Sequence, residues 1–173
     1  MPNLVKGKAT ICIVNYKPLD FTRLALRCIR RFTAYPYQTI VVDNDSQDES
    51  LDYLRRLKWI RLIERRTDGD SSGSRSHGAA LQLGYENCDT EFFVSMHSDA
   101  FVHRDNWLAD LVGYFGGDEK TACVGSGKLE LTAEWRILLK KATDLRTFKR
   151  KLLRTTDPFG WFRYYNRTIC CLY

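Results

Sequence analysis

Residues 37–50 read YQTIVVDNDSQDES, and this stretch decides the fold. Residues 37–43 form a short, continuous, β-branched run rather than an alternating one, the pattern of a strand buried on both faces of a parallel sheet. Ser46 and Glu49 then stand at the spacing of a capping box, with Ser46 as N-cap and Glu49 at the third helical position, which opens a helix to about residue 57. Upstream, residues 9–14 (ATICIV) repeat the buried-strand pattern. A helix over residues 20–32 follows, with Phe21, Leu24, Ala25, Cys28 and Phe32 on one face and Arg23, Arg27, Arg30 and Arg31 elsewhere. Downstream, residues 60–64 read as a third strand and the Gly-, Ser- and Asp-rich residues 68–76 as a loop. A helix over residues 76–87 comes next, with Ala79, Ala80, Leu83 and Tyr85 available for packing. Residues 91–96 (EFFVSM) form a fourth strand. A short helix over residues 106–115, capped by Asp105 and stopped by Gly116-Gly117-Asp118, precedes a fifth strand within residues 122–131.

Strands alternating with helices predict an α/β fold, an α/β/α sandwich around a mainly parallel sheet. Ligands of such sheets bind outside the carboxyl ends of the strands. Four polar clusters fall at or near such ends: Asn15-Tyr16, Asp43-Asn44-Asp45, the loop from Asp68, and His97-Ser98-Asp99. Four on one rim is a stronger signal than any one of them.

Length and composition bound the reading. The chain has 173 residues, 44% hydrophobic and 28% charged, enough for a core without disulfides or a structural metal and unlike a disordered chain. No run approaches the roughly 18 apolar residues of a membrane span, and the first residues lack the apolar core of a secretory signal. The net charge is +6, but residues 135–167 hold 10 Lys/Arg against 2 Asp/Glu while the rest holds 17 against 19. A near-neutral domain with a basic C-terminal segment fits a membrane surface or an acidic partner better than nucleic acid. Residues 135–154 are basic and amphipathic, with Trp135, Leu138, Ala142, Leu145, Phe148 and Leu152 along one face, as in an interfacial helix or a helix packed on the domain. The six cysteines show no zinc-ligand spacing and read as reduced thiols of a cytosolic protein.

Each polar motif has a plain alternative. Asp45 and Ser46 suit a turn; Asp43, at the end of a buried strand, is desolvated unless it has a partner, and could accept from a base N–H or a ribose hydroxyl. His97 and Asp99 suit a surface turn, or a divalent site: Mg2+ and Mn2+ take one or two carboxylates plus substrate phosphates, and Mn2+ accepts imidazole. Gly73-Ser74-Arg75-Ser76-His77-Gly78 is a flexible loop or a phosphate cradle at a helix start, and matches neither the P-loop nor the dinucleotide fingerprint. His103 reads as a surface residue.

The order of these motifs resembles the glycosyltransferase family 2 catalytic domain, of GT-A fold. The matching pieces are ATICIVNYKPLD, TIVVDNDSQDES, GSRSHGAALQLGYENCDTEFFV and MHSDAFV, over about residues 9–125. The resemblance implies a sugar nucleotide site in which Asn15, Tyr16, Asp43 and Asn44 match nucleoside-contacting positions. Arg75, His77 and Ser98 are counted with the sugar-nucleotide positions. Asp99 matches the last Asp of the DxD motif that holds a divalent metal, Mn2+ or Mg2+, and His97 replaces its first Asp. It implies transfer from a UDP-, dTDP- or GDP-sugar to the hydroxyl of a saccharide or lipid-linked acceptor of the cell-envelope polysaccharide type, with inversion, on the cytoplasmic side with peripheral membrane contact through residues 135–167 and without nucleic acid. Residues 1–131 would be the sugar-nucleotide core and residues 132–173 the basic segment and the start of an acceptor-side half. The catalytic base would lie beyond Tyr173, Asp157 in its DPFG turn being a poor choice. The competing expectation is a catalytically incomplete remnant serving as a membrane- or partner-binding module.

Overall fold

A computed structural model describes residues 4–17, 19–67, 73–117, 121–125 and 170–173. The basic segment 135–167 and Asp157 lie outside the described residues. The elements are β1 (Val5–Asn15), α1 (Leu19–Phe32), β2 (Tyr37–Asn44), α2 (Glu49–Arg56), β3 (Arg61–Arg65), α3 (Gly73–Glu86), β4 (Thr90–His97), α4 (Trp107–Gly113), β5 (Val124–Gly125) and β6 (Cys170–Leu172). They form one six-stranded sheet of order β3-β2-β1-β4-β6-β5. The pairs among β1 to β4 are parallel; β6 runs antiparallel to β4 and to β5.

The period of two along the strands separates two cores. Ile11, Ile13, Val41, Val94 and Met96 face one side, where Ala25, Leu26 and Ile29 of α1, Leu54 of α2 and Leu108 of α4 pack on them. Cys12, Val14, Ile40, Val42 and Phe93 face the other, where Ala80 of α3 meets them. The expected α/β/α layering with a mainly parallel sheet is therefore the architecture. Helix α3 lies close on the sheet because Gly84 has no side chain: a Cβ there would run into the Sγ of Cys12. Burial pushes the Cys12 thiol up to about 12, so it packs as an apolar residue.

Local readings differ in instructive ways. The buried residues of α1 are Thr22, Ala25, Leu26 and Ile29, while Phe21 and Leu24 are exposed. The face is rotated from the one expected because Thr22 belongs to it, held by a hydrogen bond to Asn15, and a threonine hides the apolar period. The cap of α2 is Asp48, which accepts from the Ser50 N–H; Ser46 is bonded to Asn15, Lys17 and Asp43 instead. Helix α3 starts at Gly73, so the Gly-Ser run expected as a loop forms its first turns, and its buried residues are Ser76, Ala80 and Gly84 rather than Ala79. Tyr85 is exposed but packs edge-on against Phe93. Helix α4 has Asn106, not Asp105, before its first turn, without a side-chain cap, and a 3-10 turn continues through Tyr114–Gly117. Within residues 122–131 the described strand is Val124–Gly125 alone.

Candidate functional site

Register places the polar strand ends on one rim. Asn15 is opposite Asp43, Val14 is opposite His97, and Asn44 is opposite Arg65. Outside this rim lies a cleft of ≈ 820 Å³, within the usual size of a small-ligand site. Tyr16, Asn44, His77, His97, Ser98 and Asp99 line it.

Asn15 and Asp43 do not line it. They are 0% and 1% exposed and form a closed network under its floor. Asn15 Nδ2 donates to Asp43 Oδ1 at 2.7 Å, Ser46 Oγ at 3.0 Å and Ser50 Oγ at 2.9 Å, and Thr22 Oγ1 donates to Asn15 Oδ1 at 2.6 Å. Ser46 donates to both oxygens of Asp43, from its hydroxyl at 2.6 Å and its N–H at 3.1 Å. The desolvated carboxylate that the sequence exposes as a problem is thus answered within the chain. Lys17, Asp45 and Gln47 beside this network take positive φ of 67°, 65° and 50°, a region non-glycine residues rarely adopt.

The opposite wall is built differently. His77, on the second turn of α3, and His97, the last residue of β4, stand with ring centroids 5.2 Å apart, and the Nε2 atom of each is buried without a hydrogen-bond partner. Burial and the neighbouring His97 hold His77 below the usual imidazole pKa. Asp99 Oδ1 lies 3.8 Å from His97 Nδ1, beyond hydrogen-bond length. Ser98 lies between them on the lining.

Between the walls, Asn44 Nδ2 donates to Ser76 Oγ at 2.8 Å, and Arg65 Nη1 donates to Asn44 Oδ1 at 2.5 Å and to Ser76 Oγ at 3.1 Å. Arg65 was not singled out by the sequence, although it ends a strand on the same rim; its guanidinium keeps donors for an anion. Thr67 also lines the cleft, tied to Asp45 Oδ2 by its hydroxyl at 2.8 Å. Bonds from Gln47 and Thr67 hold the Asp45 carboxyl below its usual range. Phe21 stacks on Phe101 at 6.4 Å and forms an aromatic lip. Arg75 is exposed on α3 and is not a lining residue. His103 is exposed.

The donors on this wall that a divalent ion would use are His97 and the Asp99 carboxylate, which lies on the Nδ1 side of that ring. Among the described residues no three His, Cys, Asp or Glu side chains are already gathered around one point.

This mainly parallel sheet, with β6 antiparallel beside β4 and a cleft at the strand carboxyl ends, has the fold of the GT-A class, shared by solved GT-A enzymes. TarS 1–349 of S. aureus is similar with a TM-score of 0.55 and 16% identity over 72% of this chain and 38% of that one. Its complex with UDP-GlcNAc gives 0.53 and 16% over 72% and 37%. The mannosyltransferase PcManGT from Pyrobaculum calidifontis, in complex with GDP-Man and Mn2+, gives 0.57 and 20% over 75% and 38%. At such identities the likeness is one of fold, and the chain spans a little over a third of the length of these proteins. No curated protein sequence matches the chain. The sequence profile of glycosyl transferase family 2 matches residues 10–171, and the chain belongs to that family.

Proposed function

We propose that the chain provides the donor side of a glycosyltransferase, which moves a sugar from a nucleotide-sugar to an acceptor hydroxyl. The single observation that carries this reading is the rim: in a family 2 chain, the polar ends of β1, β2 and β4 converge on one cleft of nucleotide-sugar size. Tyr16 and Asn44 face the nucleoside. Asn15 and Asp43 act beneath them by fixing the loops that carry these residues. Ser76 and Ser98 of the lining would meet the diphosphate, with the Arg65 guanidinium behind them, bonded to Asn44 and Ser76, adding positive charge. Arg75 and His77 belong to the same helix start.

His97 and Asp99 are the residues that would hold a divalent ion, Mn2+ or Mg2+, which when bound neutralises charge on a departing diphosphate. Reaction with inversion needs a base for the acceptor hydroxyl. Asp99 is the one carboxylate among the described lining residues, and it is committed to the ion. We place the base beyond Tyr173, in an acceptor-side half of which residues 132–173 are the start. We place the acceptor among saccharides and lipid-linked saccharides of envelope polysaccharides, at the cytoplasmic side of a membrane reached through residues 135–167. Among the described residues no helix is long and apolar enough to cross a membrane.

Calorimetric titration of UDP, dTDP and GDP with and without Mn2+ tests the reading. One nucleotide should bind in a metal-dependent way, and Asp99→Asn should weaken it. Binding indifferent to chelator and to that substitution would contradict it.

A further inference from the structure

The bonding of the Ser76 hydroxyl can be counted through. A serine oxygen has two lone pairs and one proton. Both lone pairs are filled, by Asn44 Nδ2 at 2.8 Å and by Arg65 Nη1 at 3.1 Å. Neither donor can be turned around. Arg65 offers hydrogens only, so it holds the Asn44 carboxamide with Oδ1 toward itself and Nδ2 toward Ser76. What is left to Ser76 is its own proton, which no acceptor among the described residues takes. Ser76 is 7% exposed and lines the cleft, so that proton is left for whatever fills the cleft. Behind it stands an unanswered charge. Arg65 is half-buried, and partial burial makes a lone cation costly, yet no carboxylate of the described residues pairs with it. Glu64 beside it is bonded to Arg55, and the Asp45 carboxylate accepts from Gln47 and Thr67. Both hydrogens of Arg65 Nη1 go to neutral oxygens.

We infer that Ser76, with Arg65 behind it, is a phosphate anchor that works without a divalent ion. A hydroxyl that can only donate needs an acceptor, and the guanidinium charge beside it favours an anionic acceptor over a sugar hydroxyl or an amide. The start of α3, where Ser76 stands, carries partial positive charge and acts in the same sense. The two residues have different parts. Ser76 touches the phosphate oxygen. Arg65 is a positioning residue: it fixes the direction of the Ser76 proton, directly and through Asn44, and supplies charge at one remove. The inference rests on the donor-site reading for the phosphate being that of a nucleoside diphosphate. It deepens that reading by giving the chain its own hold on the phosphate, separate from any held through an ion at His97 and Asp99.

The test is calorimetry of the whole chain with inorganic pyrophosphate in EDTA, at low and at moderate NaCl. Wild type should bind, more weakly as salt rises. Ser76→Ala should lower the affinity by about tenfold or more, the size of a charge-assisted hydrogen bond. Ser76→Thr, which keeps the hydroxyl, should retain most of it. Arg65→Gln keeps donors for Asn44 and Ser76 but not the charge. It should weaken binding and flatten its salt dependence, a change that a purely structural role would not produce, and it keeps the test decisive if the alanine variant folds poorly. No pyrophosphate binding in EDTA, or equal affinity in wild type and Ser76→Ala, would overturn the anchor. If UDP, dTDP or GDP then still binds with Mn2+, the donor-site reading stands without it. If pyrophosphate binds through Ser76 but no nucleotide binds with or without Mn2+, the anchor stands and the donor-site reading falls.

Discussion

The two walls of the cleft use polar residues in opposite ways. Under the β1–β2 side, Asn15, Thr22, Asp43, Ser46 and Ser50 are all buried and satisfy one another. On the α3–β4 side, two buried ring nitrogens satisfy nothing. Each set is anchored at strand ends, Asn15 and Asp43 on one side and His97 on the other, and these anchors look alike in a sequence. The difference is that a closed network spends its hydrogen-bonding capacity on the loop, while an open one keeps it for a ligand. Polar residues at a strand end are thus of two kinds, and only the completeness of their bonding separates them.

Substitutions should break that comparison unequally. The largest effect belongs to Asn15→Ala, which strips a hydrogen bond from the buried Asp43 carboxylate and leaves the buried Thr22 hydroxyl without its acceptor; denaturant unfolding should show a loss of about 3 kcal/mol or more. Arg65→Ala, which spans the two walls, should cost about 1 kcal/mol in the same assay and weaken nucleoside diphosphate binding in calorimetry. On the open wall His97→Gln should change stability by no more than about 0.5 kcal/mol and abolish metal binding. A stability loss equal to that of Asn15→Ala would mean the histidines are structural after all.

Two smaller predictions sharpen the picture of the closed side. The Asp45 carboxyl is held below its usual range by Gln47 and Thr67. Its bonds are therefore fully present above the unfolded-state value near 3.8 and are lost as pH falls through the lower folded value. The Thr67 amide resonance should move only in that acid window, while amides of the Asn15 loop stay in place. Gln47→Gly, which relieves a positive φ of 50°, should raise the unfolding midpoint slightly, by a fraction of the roughly 1–2 kcal/mol per residue that left-handed backbone costs.

Much of the fold was legible because the central strands carry an unambiguous signal. The runs around Ile11, Val41 and Val94 are apolar on both faces, and only a sheet covered on both sides wants that. What failed was local, and two of the misses share a cause: polar residues serving the interior. Thr22 disguised the buried face of α1, and Ser46 looked like a cap while it was bonded to Asn15 and Asp43. The opening Gly-Ser turns of α3 lack helix formers, so propensity argued against a helix that packing imposes. At the site, the rim was readable from strand ends, but which residue faces the ligand was not. Asn44 faces the cleft and Asp43, next to it, does not, because neighbours in a strand point to opposite sides. Arg65 and Phe21 went unnoticed because one stands at the end of a mostly polar strand and the other seemed committed to a core.

Strand β6 carries a consequence in time rather than in space. It lies between β4 and β5, its residues Cys170, Cys171 and Leu172 are buried, and β5 pairs with it and not with β4. During synthesis β1 to β4 can assemble as soon as they are made. Strand β4, which presents His97, then remains an exposed edge, open to pairing with another chain, until residues some seventy positions later close over it. The candidate site thus waits for β6 to cover this edge, and a ribosome that pauses across that interval would hold the half-made sheet at its most adhesive.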